Sequence, residues 1–378
     1  PGQLRQAYYS HLASGANGVM YWNWHSIHNS FESYWKGILS HDLLPGEAYN
    51  ELKSFRLEAS LIDEHLIDLK KEPKAAILVD NRSLVGLEEY PIDDISDEEA
   101  LGDTSGVSDK WSPKRIDYNH ILRWLYDACY KTNLETDIIY VKDILEISTD
   151  ELISKYPLIM VPALYSAAED TIDRLRDYVN HGGHLFLTFK SLFADEELKI
   201  YHDAQPHHFT DMIGGTYDEF TRPENVKVVI NEEAFGAAHW MELLRGSDAE
   251  VWGRYEHPYW NRYSSILHKK NGKGSATYLG SFIEEAGLAR IIKRLAELAE
   301  ITLPQNKYPI IIKKGVNSLG EAVTYCFNYS GDPKEITIDT ALDIPDEKLV
   351  TELISGKHLS SGDMFQIEAW GVKIFVTN

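Results

Sequence analysis

Positions at helical spacing open the chain. Leu4, Ala7, Tyr8, His11 and Leu12 predict a helix over residues 2–14, and Gly15 and Gly18 stop it before the apolar run "GVMYWNW", which predicts a buried strand. A polar loop rich in aromatic residues follows, as far as Asp42. Beyond it Leu52, Phe55, Ala59, Ile62, Leu66 and Leu69 recur in steps of three and four, one face of a long amphipathic helix. The first 70 residues therefore read helix, strand, helix. A single strand has no ladder partner for its backbone groups, so this segment has to dock onto something else. Without such a partner, the apolar faces of both helices are expected to stay wet.

From Lys74 the pattern changes to strands alternating with amphipathic helices: strand "AAILVD", helix "YNHILRWLYDAC", strands "TDIIYV" and "YPLIMVPA", helix "AEDTIDRLRDYVNHGG" and strand "HLFLTF". That alternation predicts a parallel, doubly wound sheet. Gly182 and Gly183 suit the end of the second helix, where a left-handed cap favours glycine. Further on, "NGKG" between "YSSILHKK" and "SATYLGS" predicts a hairpin, because Asn-Gly fits a primed turn. An amphipathic helix from Leu288 to Ile301 closes the region, and "LPQNKYP" reads as a linker. After Tyr308 the helical period is gone. Short runs such as "IIIKK", "AVTYCFNYS" and "VKIFVT" lie between turns, which predicts a small antiparallel β-sandwich. The fold class is thus multidomain α/β, divided at residues 1–72, 73–305 and 306–378.

Composition narrows the partners. Across 378 residues the formal net charge is −22, which repels phosphate backbones and anionic lipid surfaces. Nucleic acid and membranes are therefore poor partners, and a neutral or cationic small ligand suits better. The longest apolar runs, such as "YPLIMVPAL", fall far short of the roughly 20 residues a bilayer span needs, and a cytoplasmic location is the expectation. Pro1 in place of an initiator Met suggests that something stood upstream. Cys129 and Cys326 each lie in an apolar pattern and read as buried free thiols rather than a disulfide or a metal site. Residues 88–109 carry nine Asp or Glu and no basic residue; a solvated loop is the plain reading, a role at an interface the other.

Chemistry is sparse in the middle of the chain. No dinucleotide, P-loop, HExxH or CxxC motif occurs, which leaves nucleotide and zinc chemistry without sequence support, and no cofactor is expected. After "YPLIMVPA", where an α/β hydrolase or amidotransferase would carry its nucleophile turn, the residues are Ala163, Leu164, Tyr165 and Ser166, without Cys or flanking glycines. His207-His208 reads as a satisfied loop pair, since a metal site would need two more ligands from elsewhere. His25 and His28 are at most supporting residues.

The stretch Gly18–Asp42 is different: three Trp, two Tyr and three His stand beside Glu32 and Asp42. A sugar ring has an apolar C–H face that stacks on an indole, while its hydroxyls need charged acceptors at their edges. Tyr21 and Trp22 are expected in the core of the strand. Glu32 and Trp35, on the loop, are the expected substrate-binding residues.

Here a family enters. "GANGVMYWNWHSIHNSFESYWKGILSHD" resembles the last βα unit of the (β/α)8 barrel of glycoside hydrolase family 42 β-galactosidases. The middle, from "AAILVDNRS" to "HGGHLFLTF", resembles that family's trimerisation domain, a flavodoxin-like or class I amidotransferase-like α/β fold without the amidotransferase nucleophile. The all-β end resembles the family's small C-terminal domain. The resemblance implies a retaining hydrolase of terminal β-D-galactosides, assembled as a homotrimer. It also implies that both catalytic glutamates lie upstream on barrel strands four and seven, so no catalytic residue is expected in these 378 residues and the chain alone is expected to be inactive. The cysteine-ligated zinc of some members belongs to that upstream segment too, and no metal is expected here. Family members hold the galactose hydroxyls with a Glu and, three residues later, a His; Glu32 matches the Glu and Trp35 stands in place of the His. The alternative is a free-standing oligomerisation or carbohydrate-binding module.

Overall fold

A computed structural model describes residues 2–94, 115–338 and 349–377. The chain divides into two compact units, one formed by Pro1–Glu72 with Leu303–Asn378 and the other by Pro73–Thr302. The first unit opens with helices α1 (Gln3–Leu12) and α2 (Glu47–Ala59). Helix α1 buries Gln6, Tyr9 and Leu12, so that of the predicted stripe Leu4, Ala7, Tyr8, His11 and Leu12 only Leu12 is buried. Tyr9 carries the contact: its hydroxyl donates to Glu58 of α2 at 2.7 Å, and Arg5 reaches the same carboxylate oxygen at 2.8 Å. Burial and that carboxylate push the Tyr9 phenol well above its ordinary value. Helix α2 stops ten residues short of the predicted Leu69, but Phe55, Ala59, Ile62, Leu66 and Leu69 are all buried as the spacing requires.

The second unit begins with β1 (Ala75–Val79), buried throughout, and α3 (Asn81–Glu89), whose first turn is capped by Asp80 accepting from the Ser83 N–H. Helix α4 (Tyr118–Lys131), capped in the same way by Asp117, leads to β2 (Thr136–Tyr140). The alternation continues with β3 (Leu158–Val161), α5 (Glu169–Asn180) and β4 (His184–Thr188). Then strands predominate: β5 (Lys227–Ile230), β6 (Glu233–Glu242), β7 (Glu250–Glu256), β8 (Ser264–Asn271), β9 (Gly274–Leu279) and β10 (Ser281–Ile283), before α6 (Glu285–Leu298). Strands β2, β1, β3, β4 and β9 are neighbours in that order, and all pairs are parallel. Burial of every residue in β1, β3 and β9 fits strands covered on both faces. From β9 the same sheet runs on antiparallel through β8, β7, β5 and β6 to β10. The predicted parallel sheet is therefore half of a larger mixed one. The β8–β9 hairpin pairs Asn271 with Gly274 across the turn Gly272-Lys273. The hairpin lies where the sequence predicts it, but Asn271 ends the strand and Gly272, with φ of 64°, takes the first turn position, as a type II′ turn favours.

The chain then returns to the first unit with β11 (Ile310–Val316), β12 (Ala322–Asn328), β13 (Lys334–Thr337), β14 (Val350–Glu352), β15 (Lys357–Leu359), β16 (Met364–Ile367) and β17 (Val372–Thr377). An antiparallel sheet in the order β11-β12-β17-β14-β15 and a β13–β16 pair share one core, with Ile310, Ile312, Cys326 and Phe375 from the sheet against Ile336 and Ile367. This is what the opening segment docks onto. Gln6 Nε2 donates to the Asn328 carbonyl at 2.8 Å, Lys70 and Val316 exchange backbone hydrogen bonds of 2.8 and 2.9 Å, and His65 Nδ1 lies 2.6 Å from Glu321. With that partner present Tyr9 and Phe55 are buried within the unit, while Ala7 and His11 of the stripe predicted for α1 stay exposed. Both cysteines are free and buried, as expected.

Candidate functional site

The segment Gly18–Trp24 forms no sheet ladder. Instead residues 23–45 fold back on it: the N–H groups of Ile38 and Leu39 donate to the carbonyls of Asn23 and Trp24 at 2.9 Å each. Ser26, buried, ties the fold-back together, since its hydroxyl donates to the Leu39 carbonyl at 3.1 Å and accepts the Gly37 N–H at 3.1 Å. Gly37 is required by close approach, because a Cβ there would lie 2.2 Å from the His25 carbonyl carbon. The rings of His25 and His28 are 5.7 Å apart and those of His28 and His41 5.8 Å. His28 Nε2–H donates to the His41 carbonyl at 2.6 Å, and His41 Nε2–H to the Ser33 carbonyl at 2.9 Å, so the histidines brace the loop. Asp42 accepts from the Leu44 N–H and the Ser40 hydroxyl, which holds its exposed carboxyl below the usual carboxylate range.

Glu32 and Trp35 are the two ends of one turn, the Trp35 N–H donating to the Glu32 carbonyl at 2.9 Å. Both side chains face solvent. Around them Phe31 and Tyr34 are each 91% exposed and Trp22 83%. The expectation that Trp22 belongs to a core is therefore overturned: with no ladder partner among the described residues, the run does not become a buried strand. Tyr21 is half-buried, and burial pushes its phenol up to about 12. The segment presents indoles and phenyl faces beside a carboxylate, surfaces that can stack on sugar C–H faces and accept hydroxyl hydrogen bonds.

In the second unit, Ala163 sits just past β3, where a nucleophile turn would be, and its φ of 38° is the strained backbone such a turn uses. Its N–H donates to Thr188 Oγ1 at 2.8 Å, and its side chain is a methyl group. The turn is there and the nucleophile is not. A cleft of about 590 Å³ near these strand ends is lined by Asp80, Arg82, Lys142, Asp170 and Glu196 among others.

Two groupings draw on residues that lie far apart along the chain, and of their members only the His207-His208 pair carries a sequence signal. Glu242, fully buried, accepts the Lys190 N–H at 2.8 Å, the Tyr278 hydroxyl at 2.9 Å and the Trp240 indole N–H at 3.2 Å. The Lys190 ammonium lies 3.9 Å from the ring centre of Phe193, 4.2 Å from Trp240 and 4.6 Å from Phe220. Burial raises the Glu242 carboxyl and lowers the Lys190 ammonium relative to their ordinary values. The second grouping joins His207 and His208 to Glu169 and Asp203. In "GRYEHPYWNRYS" Tyr255 and Tyr263 are buried and Tyr259 is exposed. The acidic stretch 88–109 lies, past Asp94, outside the described residues. No helix among the described residues is long and apolar enough to cross a membrane.

Comparison with known proteins places this geometry. The family described as "Beta-galactosidase trimerisation domain" matches residues 94–302, and that described as "Beta-galactosidase" matches residues 1–61. A β-galactosidase of Geobacillus sp. is 22% identical over 368 residues, covering 96% of this chain and 50% of the relative. One from Heyndrickxia coagulans is 24% identical over 306 residues, covering 80% and 42%. Among solved structures, β-galactosidase from Bacillus circulans sp. alkalophilus has a TM-score of 0.81 at 20% identity, over 100% of this chain and 52% of that one. The enzyme from Halorubrum lacusprofundi has a TM-score of 0.75 at 20% identity, over 99% and 49%. At such identities the structural likeness shows the fold alone. The chain spans about half the length of the curated relatives it matches. The trimerisation-domain match runs over more than half of these residues, with the second match ahead of it in the order the fold displays: the chain belongs to the glycoside hydrolase family 42 β-galactosidases.

Proposed function

We propose that this chain supplies the sugar-gripping rim and the assembly domain of a retaining β-galactosidase acting on terminal β-D-galactosides. In this reading residues 1–72 are the end of a (β/α)8 barrel, 73–305 a flavodoxin-like trimerisation domain and 306–378 a small antiparallel β-sandwich, in a cytoplasmic homotrimer. The observation that carries it is the solvent-facing aromatic loop around Glu32, in a chain whose matched relatives are β-galactosidases about twice as long. The Glu32 carboxylate accepts galactose hydroxyls and the Trp35 indole covers the apolar sugar face. Retention needs two carboxyl groups roughly 5–5.5 Å apart, one forming the galactosyl-enzyme and the other serving as acid, then base. Both are expected from residues outside this chain.

The test is an assay on a chromogenic β-galactoside. The 378-residue chain should show no turnover, and the same chain joined to the preceding barrel segment of the Geobacillus relative should hydrolyse it. Turnover by the chain alone overturns the division of labour. Tight galactose binding by the chain alone, with no activity after joining, turns the reading into a free-standing carbohydrate-binding module.

A further inference from the structure

Helix α5 and the segment after β4 meet at four side chains that the sugar chemistry does not use. Glu169 is the first residue of α5. Its carboxylate oxygens lie 2.9 Å from His207 Nε2 and 3.2 Å from His208 Nδ1. Behind His207, Nδ1 is 2.6 Å from Asp203. The imidazole of His207 is clamped in place: the Tyr201 ring lies parallel at 3.5 Å on it, and the His208 ring stacks at 3.9 Å. His208 has φ of 49°, a left-handed backbone that costs a non-glycine residue energy, and its carbonyl accepts from Arg176 at 2.5 Å. Arg176 also pairs with Asp211, so the segment is fastened to α5 at His208 and again just beyond it.

The hydrogen bonding of His207 is unusual. Both ring nitrogens face carboxylates, which only accept. The ring is therefore either an imidazolium that donates to both or a neutral imidazole that keeps Nδ1–H on Asp203 and turns Nε2 to a cation shared with Glu169. The second is the carboxylate–histidine–metal arrangement that fixes the tautomer and orients a ligating ring. The donor atoms of Glu169, His207 and His208 lie within 4.8 Å of one another. Ligands about 2.1 Å from a tetrahedral ion stand roughly 3.4 Å apart. The 2.9 and 3.2 Å contacts, made by the two oxygens of Glu169, have to spread slightly, and the exposed His208 ring has to turn out of its stack on His207 so that both nitrogens aim at one ion. Two imidazoles and a carboxylate suit zinc and its neighbours in the first transition row better than calcium or magnesium. His207 is buried, while the half-exposed Glu169 and His208 side chains leave a way in from solvent.

We propose that Glu169, His207 and His208 bind one divalent transition-metal ion, zinc for preference, with Asp203 positioning His207, as a clip between α5 and the segment that follows β4. The site is independent of the galactoside reading.

The experiment takes the full 378-residue chain, strips it with a chelator and titrates it with Zn2+ by calorimetry, and with Co2+ by visible absorption, whose ligand-field bands report coordination. One equivalent should bind. Glu169→Gln and His208→Ala alter exposed side chains and leave the fold intact; each should weaken binding at least tenfold. Asp203→Asn should weaken it about 10–100-fold, and His41→Ala, in the other histidine group, should leave it unchanged. Absence of a titratable equivalent in the parent chain, or parent-like binding by both Glu169→Gln and His208→Ala, overturns the site.

Discussion

Glu242 and Lys190 are joined by a backbone hydrogen bond: the Lys190 N–H donates to Glu242 Oε1 at 2.8 Å, while the ammonium lies among aromatic rings. Glu242 thereby collects three buried donors from β4's exit turn, β6 and β9.

Glu242→Leu would orphan those three donors at about 1–3 kcal/mol each, so the second unit should lose several kcal/mol of stability. Glu242→Gln keeps the acceptor, and its amide can donate to the Tyr278 hydroxyl, so it should cost roughly a third as much. Urea unfolding of both variants checks the ratio; equal losses would show that the charge, not the acceptor geometry, matters.

His268 sets an acid limit. It is buried, its ring stacked on Trp252 at 4.2 Å with Nδ1 2.8 Å from Thr277 Oγ1, and burial lowers it to about 4. A folded value below the unfolded one, about 6.5, means that the contribution is fully present above pH 6.5 and is lost as pH falls toward 4. The loss should be on the order of 1–2 kcal/mol after allowance for screening. Unfolding midpoints between about pH 4 and 7.5 should flatten in His268→Gln; an unchanged slope would assign the acid lability elsewhere.

Gly37→Ala should disrupt the aromatic loop and little else, since its Cβ would meet the His25 backbone at 2.2 Å. Limited proteolysis within residues 23–45 should quicken about tenfold, while unfolding of the second unit should move by less than about 0.5 kcal/mol.

In the chain joined to a barrel, Glu32→Gln should raise the KM for a β-galactoside about 10–100-fold, the range expected for losing a charged hydrogen bond. An unchanged KM would remove Glu32 from the sugar site.

Light scattering should give three times the 43.1 kDa chain mass at working concentration. A monomeric mass would contradict the proposed trimer.

How far the sequence reveals this molecule depends on the distance its contacts span. Strands β1, β3 and β9 are readable because a strand buried on both faces is a short, apolar run bounded by turns. Strand β6 is not, since its half-buried positions and the register shift between Ala238 and Met241 blur the alternation. The face of α1 is misread because burial of Gln6 depends on a carbonyl 322 residues away. The turn holding Glu32 and Trp35 is local and readable, whereas Glu169 approaches His207 across 38 residues of intervening chain.

The docking of the opening helices on the last strands also dictates an order of events during synthesis. Asn317 bonds to the His65 carbonyl across 252 residues, so at about 5–20 residues per second the ribosome needs roughly 13–50 s to deliver the second partner after the first. The α/β unit, completed at Thr302, emerges whole within that interval. Throughout that interval the side of the opening segment that meets the last strands lacks its partner, which makes that side a surface of the newborn chain a chaperone would hold.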